Sequence, residues 1–197
     1  MRFKGKIDLP RGTKVLVTRL PEDAVVSAPT AAALGLEAGL ILSLDVSSTA
    51  SGYALFDHGK LESFGLVQPK GDALARIDFT ADAIAKIAQD RQPGLIVMEW
   101  SNGLTHGAIG KARGLSVLGA AQGAVRERLR AMATVRTVDQ NLWTNSRPKA
   151  ERTAIIRLIY PEYARWAGPN GKADSGSDTA DAVGLGDWWL VNAVLKK

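Results

Sequence analysis

Four carboxylates in this 197-residue chain stand where a regular element ends or begins. Asp45 closes the apolar run Leu40-Ile41-Leu42-Ser43-Leu44, and Glu99 closes Leu95-Ile96-Val97-Met98. Asp178 and Asp181 open the last stretch of helical character, and their spacing of three puts them on one helix face. Short apolar runs bounded by turn residues predict strands of a buried sheet. A carboxylate at the end of such a strand is costly to bury unless it is paired or bound to a metal. Plainer readings exist. Asp45 can cap the Ser/Thr-rich turn behind it (Ser47, Ser48, Thr49, Ser51) through its own backbone. Acids in the first turn of a helix are favoured by its dipole. Neither explanation covers Glu99, which follows four apolar residues.

If the four acids converge, they repel one another and their pKa values rise unless something compensates. Hard, oxygen-loving cations remove that conflict. With no cysteine and only His58 and His106, the donor set points to Mg²⁺ or Mn²⁺ rather than zinc. Two such ions about 4 Å apart suit phosphodiester hydrolysis, one activating water and the other neutralising the leaving 3′ oxygen. That chemistry needs no nucleophilic side chain.

Charge agrees with a phosphate-bearing partner. The net charge is +5 with a pI near 9.6, and the excess is concentrated. Residues 111–136 carry six basic side chains against one acidic, and residues 147–172 carry six against two. Basic segments flanking a carboxylate cluster suit an enzyme that holds phosphates, although a solvated charged face explains any single run. No apolar run approaches the ~20 residues of a membrane span. The N-terminus lacks the apolar core of a signal peptide, and the absence of cysteine fits a reducing compartment. The expectation is a cytoplasmic protein, or one of the host cytoplasm if phage-encoded, with no membrane contact.

The elements that must position the acids follow from periodicity. Residues 1–38 read as an N-terminal arm with a possible strand at 14–18. Such an arm can lie along DNA, clasp a second subunit or cover a sheet edge. Residues 39–197 read as the main domain. Strands are predicted over 40–45, 52–56, 61–67, 95–99 and 133–138, with hairpin chemistry at Asp57-His58-Gly59-Lys60. A helix over 73–89 places Leu74, Ile77, Ala81, Ile84 and Ala88 on one face. A glycine-rich helix over 105–131 carries an apolar stripe, Leu115, Leu118, Val125 and Leu129. Beside it runs a small-residue stripe, Ala112, Ser116, Gly119 and Gly123, suited to close packing on the sheet or to a dimer interface. A basic helix over 147–160 starts at Pro148. A flexible stretch over 167–177 leads to the last helix, 178–195.

In this order the pieces LSLDVSSTASGYA, LIVMEW, GKARGLSVLGAAQGAV and DTADAVGLGDW resemble the ribonuclease H-like nucleases, and within them the RuvC-like Holliday-junction resolvases. The resemblance spans about residues 40–192. It implies an α/β fold with a central mixed five-stranded sheet flanked by helices, preceded by an N-terminal extension. It implies that Asp45, Glu99, Asp178 and Asp181 bind two divalent ions, Mg²⁺ or Mn²⁺. It further implies a homodimer that resolves four-way DNA junctions by symmetric paired nicks. A basic residue near the scissile phosphate would come from Arg147, Lys149 or Arg152, with Lys111 and Arg113 as further DNA contacts. Departures are visible. Asp-Val-Ser-Ser-Thr replaces the Asp-Pro-Gly of the cellular bacterial enzymes and is similar to phage-type members. Ser101-Asn102-Gly103 stand where an aromatic is expected. The same site would also serve other branched DNA, single strands or an RNA–DNA hybrid. Asp-x-Ser-Ser-Thr followed by Gly is similar to the phosphate loop of actin-like ATPases too, but those need two such domains.

Overall fold

The structure, a computed structural model, describes residues 14–19, 39–101, 112–169, 171–174 and 177–195. Six strands form one mixed sheet: β1 (Lys14–Arg19), β2 (Ile41–Asp45), β3 (Ser51–Asp57), β4 (Lys60–Gln68), β5 (Leu95–Trp100) and β6 (Thr134–Asp139). Their spatial order is β1-β4-β3-β2-β5-β6. The turn between β3 and β4 has φ of 47° at His58 and 77° at Gly59, the pair of positive angles a tight hairpin requires. β2, β3 and β4 therefore run as an antiparallel meander, while β5 and β6 lie parallel to β2. These are the five strands expected for the main domain. β1 adds a sixth by pairing antiparallel with β4, so the strand of the N-terminal segment extends the sheet edge.

Helices cover both faces, and the strands are apolar on both sides for that reason. On one face α1 (Ala73–Arg91) and α2 (Ala112–Leu129) enclose a core of Leu42, Leu44, Tyr53, Ile84, Ile96, Met98, Val125 and Leu129. Asp72 caps α1, its carboxylate accepting the Ala75 N–H at 2.9 Å. On the other face α4 (Lys149–Ile159), α5 (Pro161–Ala167) and α6 (Asp178–Leu195) enclose Ile41, Phe56, Phe64, Tyr163, Val183 and Leu185. The short α3 (Gln140–Thr144) follows β6 directly. Among the described residues no helix is long and apolar enough to cross a membrane.

The periodicity located these helices better than their faces. α1 buries Ile77, Ala81, Ile84 and Ala88, but Leu74 in its first turn is 75 % exposed. α2 buries Ala121, Val125 and Leu129. At the two glycines of its small-residue stripe nothing packs closely: a Cβ at Gly119 or Gly123 meets nothing within 4 Å. The expected start of this helix near residue 105 lies outside the described residues. α3 and α5 were not expected, nor was the 3₁₀ turn Lys172–Asp174 inside the stretch read as flexible.

Candidate active site

Register places the first two acids side by side. β2 and β5 are parallel neighbours with Leu44 opposite Met98, so Asp45 and Glu99 follow at the same level of the sheet. Ligand sites of open α/β sheets form at this carboxyl edge of the strands. The second pair arrives on α6, which crosses the opposite face of β2 and β3. Gly52 sits across from Asp45 in the β2–β3 ladder. A Cβ there would lie 2.0 Å from the Asp178 carbonyl oxygen and 2.6 Å from the Thr179 nitrogen. Only a glycine lets the helix come this close. Further along, a Cβ at Gly186 would stand 2.2 Å from the Phe56 ring. Ser43 Oγ donates to the Ala182 carbonyl at 2.7 Å, and Thr179 Oγ1 to the Gly65 carbonyl at 3.1 Å.

The start of α6 is held by Asp174 of the 3₁₀ turn. Its two carboxylate oxygens accept the N–H groups of Thr179 (3.2 Å) and Ala180 (3.0 Å), and the Tyr163 hydroxyl donates to it at 2.9 Å. Asp174 is buried, and burial pushes its pKa up against the three hydrogen bonds. This acid is a structural cap, separate from the four expected at the site.

All four of those acids line one cleft of about 320 Å³ with Ser47, Ser101, Leu118, Gln140 and Asn141. Two cations from α4 enter it. Lys149 Nζ lies 2.9 Å from Asp178 Oδ1 and 3.1 Å from Asp181 Oδ2. Arg152 grips Asp181 with two parallel bonds, Nε to Oδ1 at 3.0 Å and Nη2 to Oδ2 at 2.9 Å. Glu99, only 4 % exposed, accepts the Trp143 indole N–H on Oε2 at 2.8 Å. The strand carrying it is fixed by buried Gln122, whose Nε2 donates to the Glu99 carbonyl at 3.3 Å and whose Oε1 accepts the Ser101 N–H at 3.4 Å.

The electrostatics follow from this crowding. Burial, then the charges of Glu99, Asp181 and Asp178, push the Asp45 pKa well above the carboxylate range, with Lys149 opposing them. Burial likewise pushes Glu99 up to about 7, against the Trp143 hydrogen bond and the charges of Arg152 and Lys149. For Lys149, burial disfavours the ammonium, but Asp181, Asp178 and Asp45 outweigh it and raise its pKa.

Of the basic residues singled out from the sequence, Lys149 and Arg152 turn inward onto the acids. Arg147 does not: it is exposed, 3.7 Å from Glu151, and its carbonyl accepts an Arg152 Nη1–H at 2.7 Å. Lys111 and the Arg113 side chain lie outside the described residues. Trp143, Gln122 and Asp174 were not anticipated. An indole four residues after the β6 acid Asp139 was the one local hint for the first of them.

Four carboxylates with no sulfur or imidazole among them form a hard oxygen donor set that fits Mg²⁺ or Mn²⁺. As placed here, no three acid or imidazole side chains among the described residues stand in a ligand array. Lys149 and Arg152 supply the positive charge instead.

No protein-family model and no curated protein matches this sequence. Solved structures do match in fold. A Thermus thermophilus RuvC in complex with Holliday junction substrate superposes with a TM-score of 0.61 at 15% identity, over 81% of this chain and 97% of that one. A second Thermus thermophilus RuvC structure gives 0.57 at 16%, over 80% and 96%. The yeast mitochondrial Holliday junction resolvase Ydc2 gives 0.56 at 13%, over 87% and 86%. These are bacterial and mitochondrial proteins and lend no support to the phage-type look of the turn after Asp45. The chain has the RuvC-like form of the ribonuclease H-like fold.

Proposed function

We propose that this chain is a metal-dependent endonuclease that resolves four-way DNA junctions, acting as a homodimer that nicks two opposing strands symmetrically. One observation carries the reading: Asp45, Glu99, Asp178 and Asp181 share a single cleft at the carboxyl edge of the sheet, on a fold shared with two kinds of Holliday junction resolvase. Asp45, Glu99, Asp178 and Asp181 are the residues that would hold two divalent ions, Mg²⁺ or Mn²⁺. Bound there, such ions supply an activated water and charge neutralisation at a phosphodiester.

The chain itself contributes placement and charge. The β2–β5 register and the close approach of α6 at Gly52 bring the backbones that carry the four acids to one edge of the sheet. Lys149 Nζ balances the acid pair and stands close enough to meet a phosphate oxygen entering the cleft. Arg152 keeps Asp181 in one orientation. Leu118 gives the cleft an apolar wall on the α2 side.

Asp45→Asn tests this reading. It keeps the shape of the side chain and removes the charge, so nicking of a four-way junction should fall at least about 100-fold while junction binding in EDTA persists. Retained cleavage with lost binding would remove the acids from the chemistry.

A further inference from the structure

We infer that Trp143 is a positioning residue that sets two of the four acids at once, Glu99 directly and Asp181 through Arg152. The inference rests on the reading of these acids as a divalent-cation site.

Trp143 stands on α3, whose start is capped by Asp139 accepting the Asn141 N–H at 2.8 Å. Positive φ angles at Asn145 (50°) and Ser146 (59°) turn the chain sharply from α3 into α4. That turn brings Trp143 and Arg152 onto one another. The guanidinium carbon of Arg152 lies 5.2 Å from the centre of the indole, within stacking reach. Below, the ring rests on α6, where a Cβ at Gly184 would come within 3.2 Å of it. The indole is 8 % exposed and has little freedom.

A buried tryptophan N–H usually finds a hydrogen-bond acceptor. Here the acceptor is Glu99 Oε2, at 2.8 Å. Holding that oxygen leaves the other one to the cleft that Glu99 lines. Arg152 is only 12 % exposed and is held on one side by the indole and on another by the Arg147 carbonyl at 2.7 Å. Its two-bond grip on Asp181 therefore has a fixed origin. A single side chain joins the acid of β5 to the acid of α6. Outer-shell partners of this kind tune metal affinity by about 10–100-fold.

Trp143→Phe keeps an aromatic ring under Arg152 and removes the N–H donor. Trp166→Phe is the control, a second large indole, packed on Phe64 and Tyr163 away from the acids. Calorimetric titration of the full chain with Mn²⁺ alone, without DNA, separates the possibilities. Trp143→Phe is expected to bind Mn²⁺ about 10-fold more weakly than wild type, and Trp166→Phe to bind it equally well. Equal Mn²⁺ affinity in Trp143→Phe and wild type overturns the role toward Glu99, and equal affinity in Trp143→Leu, which also removes the ring under Arg152, overturns the role toward Asp181. Equal weakening in Trp143→Phe and Trp166→Phe reduces it to general packing and overturns it too. Absence of Mn²⁺ binding by the wild-type chain overturns the cation reading of the acids, and this inference with it.

Discussion

Arg152 carries much of the electrostatics of the site, because its partner Asp181 is 4 % exposed and is held by two guanidinium nitrogens, with Lys149 as a second cation. Removing one member of such a buried pair leaves an uncompensated charge. Arg152→Met is therefore expected to destabilise the chain by about 3–5 kcal/mol in EDTA, measured by denaturant unfolding. Addition of Mn²⁺ should recover part of that loss, since a cation in the cleft replaces the missing charge. The pH dependence has a definite sign. Glu99 is raised to about 7 and Asp45 is also raised, so the folded chain holds protons that the unfolded chain releases from about pH 4.5 upward. Stability must then fall as pH climbs through the interval between the unfolded values and about 7. The melting temperature in EDTA should drop between pH 5 and about 7.5, and Glu99→Gln should flatten that slope. A melting temperature that instead rises over this interval in the wild type, with the same rise in Glu99→Gln, would contradict the assignment.

At the scale of elements, the placement of α6 decides whether four acids meet. Gly52→Ala sets a methyl 2.0 Å from the Asp178 carbonyl, a contact with backbone that no rotamer relieves. It should lower stability by about 1–3 kcal/mol or more and weaken Mn²⁺ binding together with it, both readable on one purified variant. The sheet and the four acids were legible in the sequence because apolar runs and turn residues are local signals. Glu99 stood out because no turn or helix-start role accounts for a carboxylate after four apolar residues, whereas Asp45 also read as a cap of the turn behind it. The cap Asp174 was not legible, since it lies in a Gly/Ser-rich stretch that reads as flexible and its hydroxyl partner Tyr163 comes from a separate helix. Trp143 was hidden for the same reason: α3 is five residues long, too short to show a period, and its meaning lies in a contact 44 residues away in the chain. Arg147 parts from Lys149 and Arg152 because it lies ahead of α4, which begins at Lys149, and its side chain stays exposed beside Glu151.

At the scale of the molecule, symmetric nicking of a four-way junction asks for two copies of this cleft. For the proposed homodimer, the part of α2 around Gly119 and Gly123, where an added Cβ meets nothing within 4 Å, is the pairing surface we propose. Gly119→Arg should convert a dimer to a monomer in sedimentation, and the monomer should lose paired nicking while keeping single nicks. The most direct test of the whole account is a map of nicks on all four strands of a mobile synthetic four-way junction with Mg²⁺, beside a linear duplex of matched sequence. Nicks are expected at symmetric positions on two opposing strands, ending in 5′-phosphate and 3′-hydroxyl groups, with the duplex spared. Unpaired nicks, or equal cutting of the duplex, would contradict junction resolution and leave a ribonuclease H-like nuclease of other substrate.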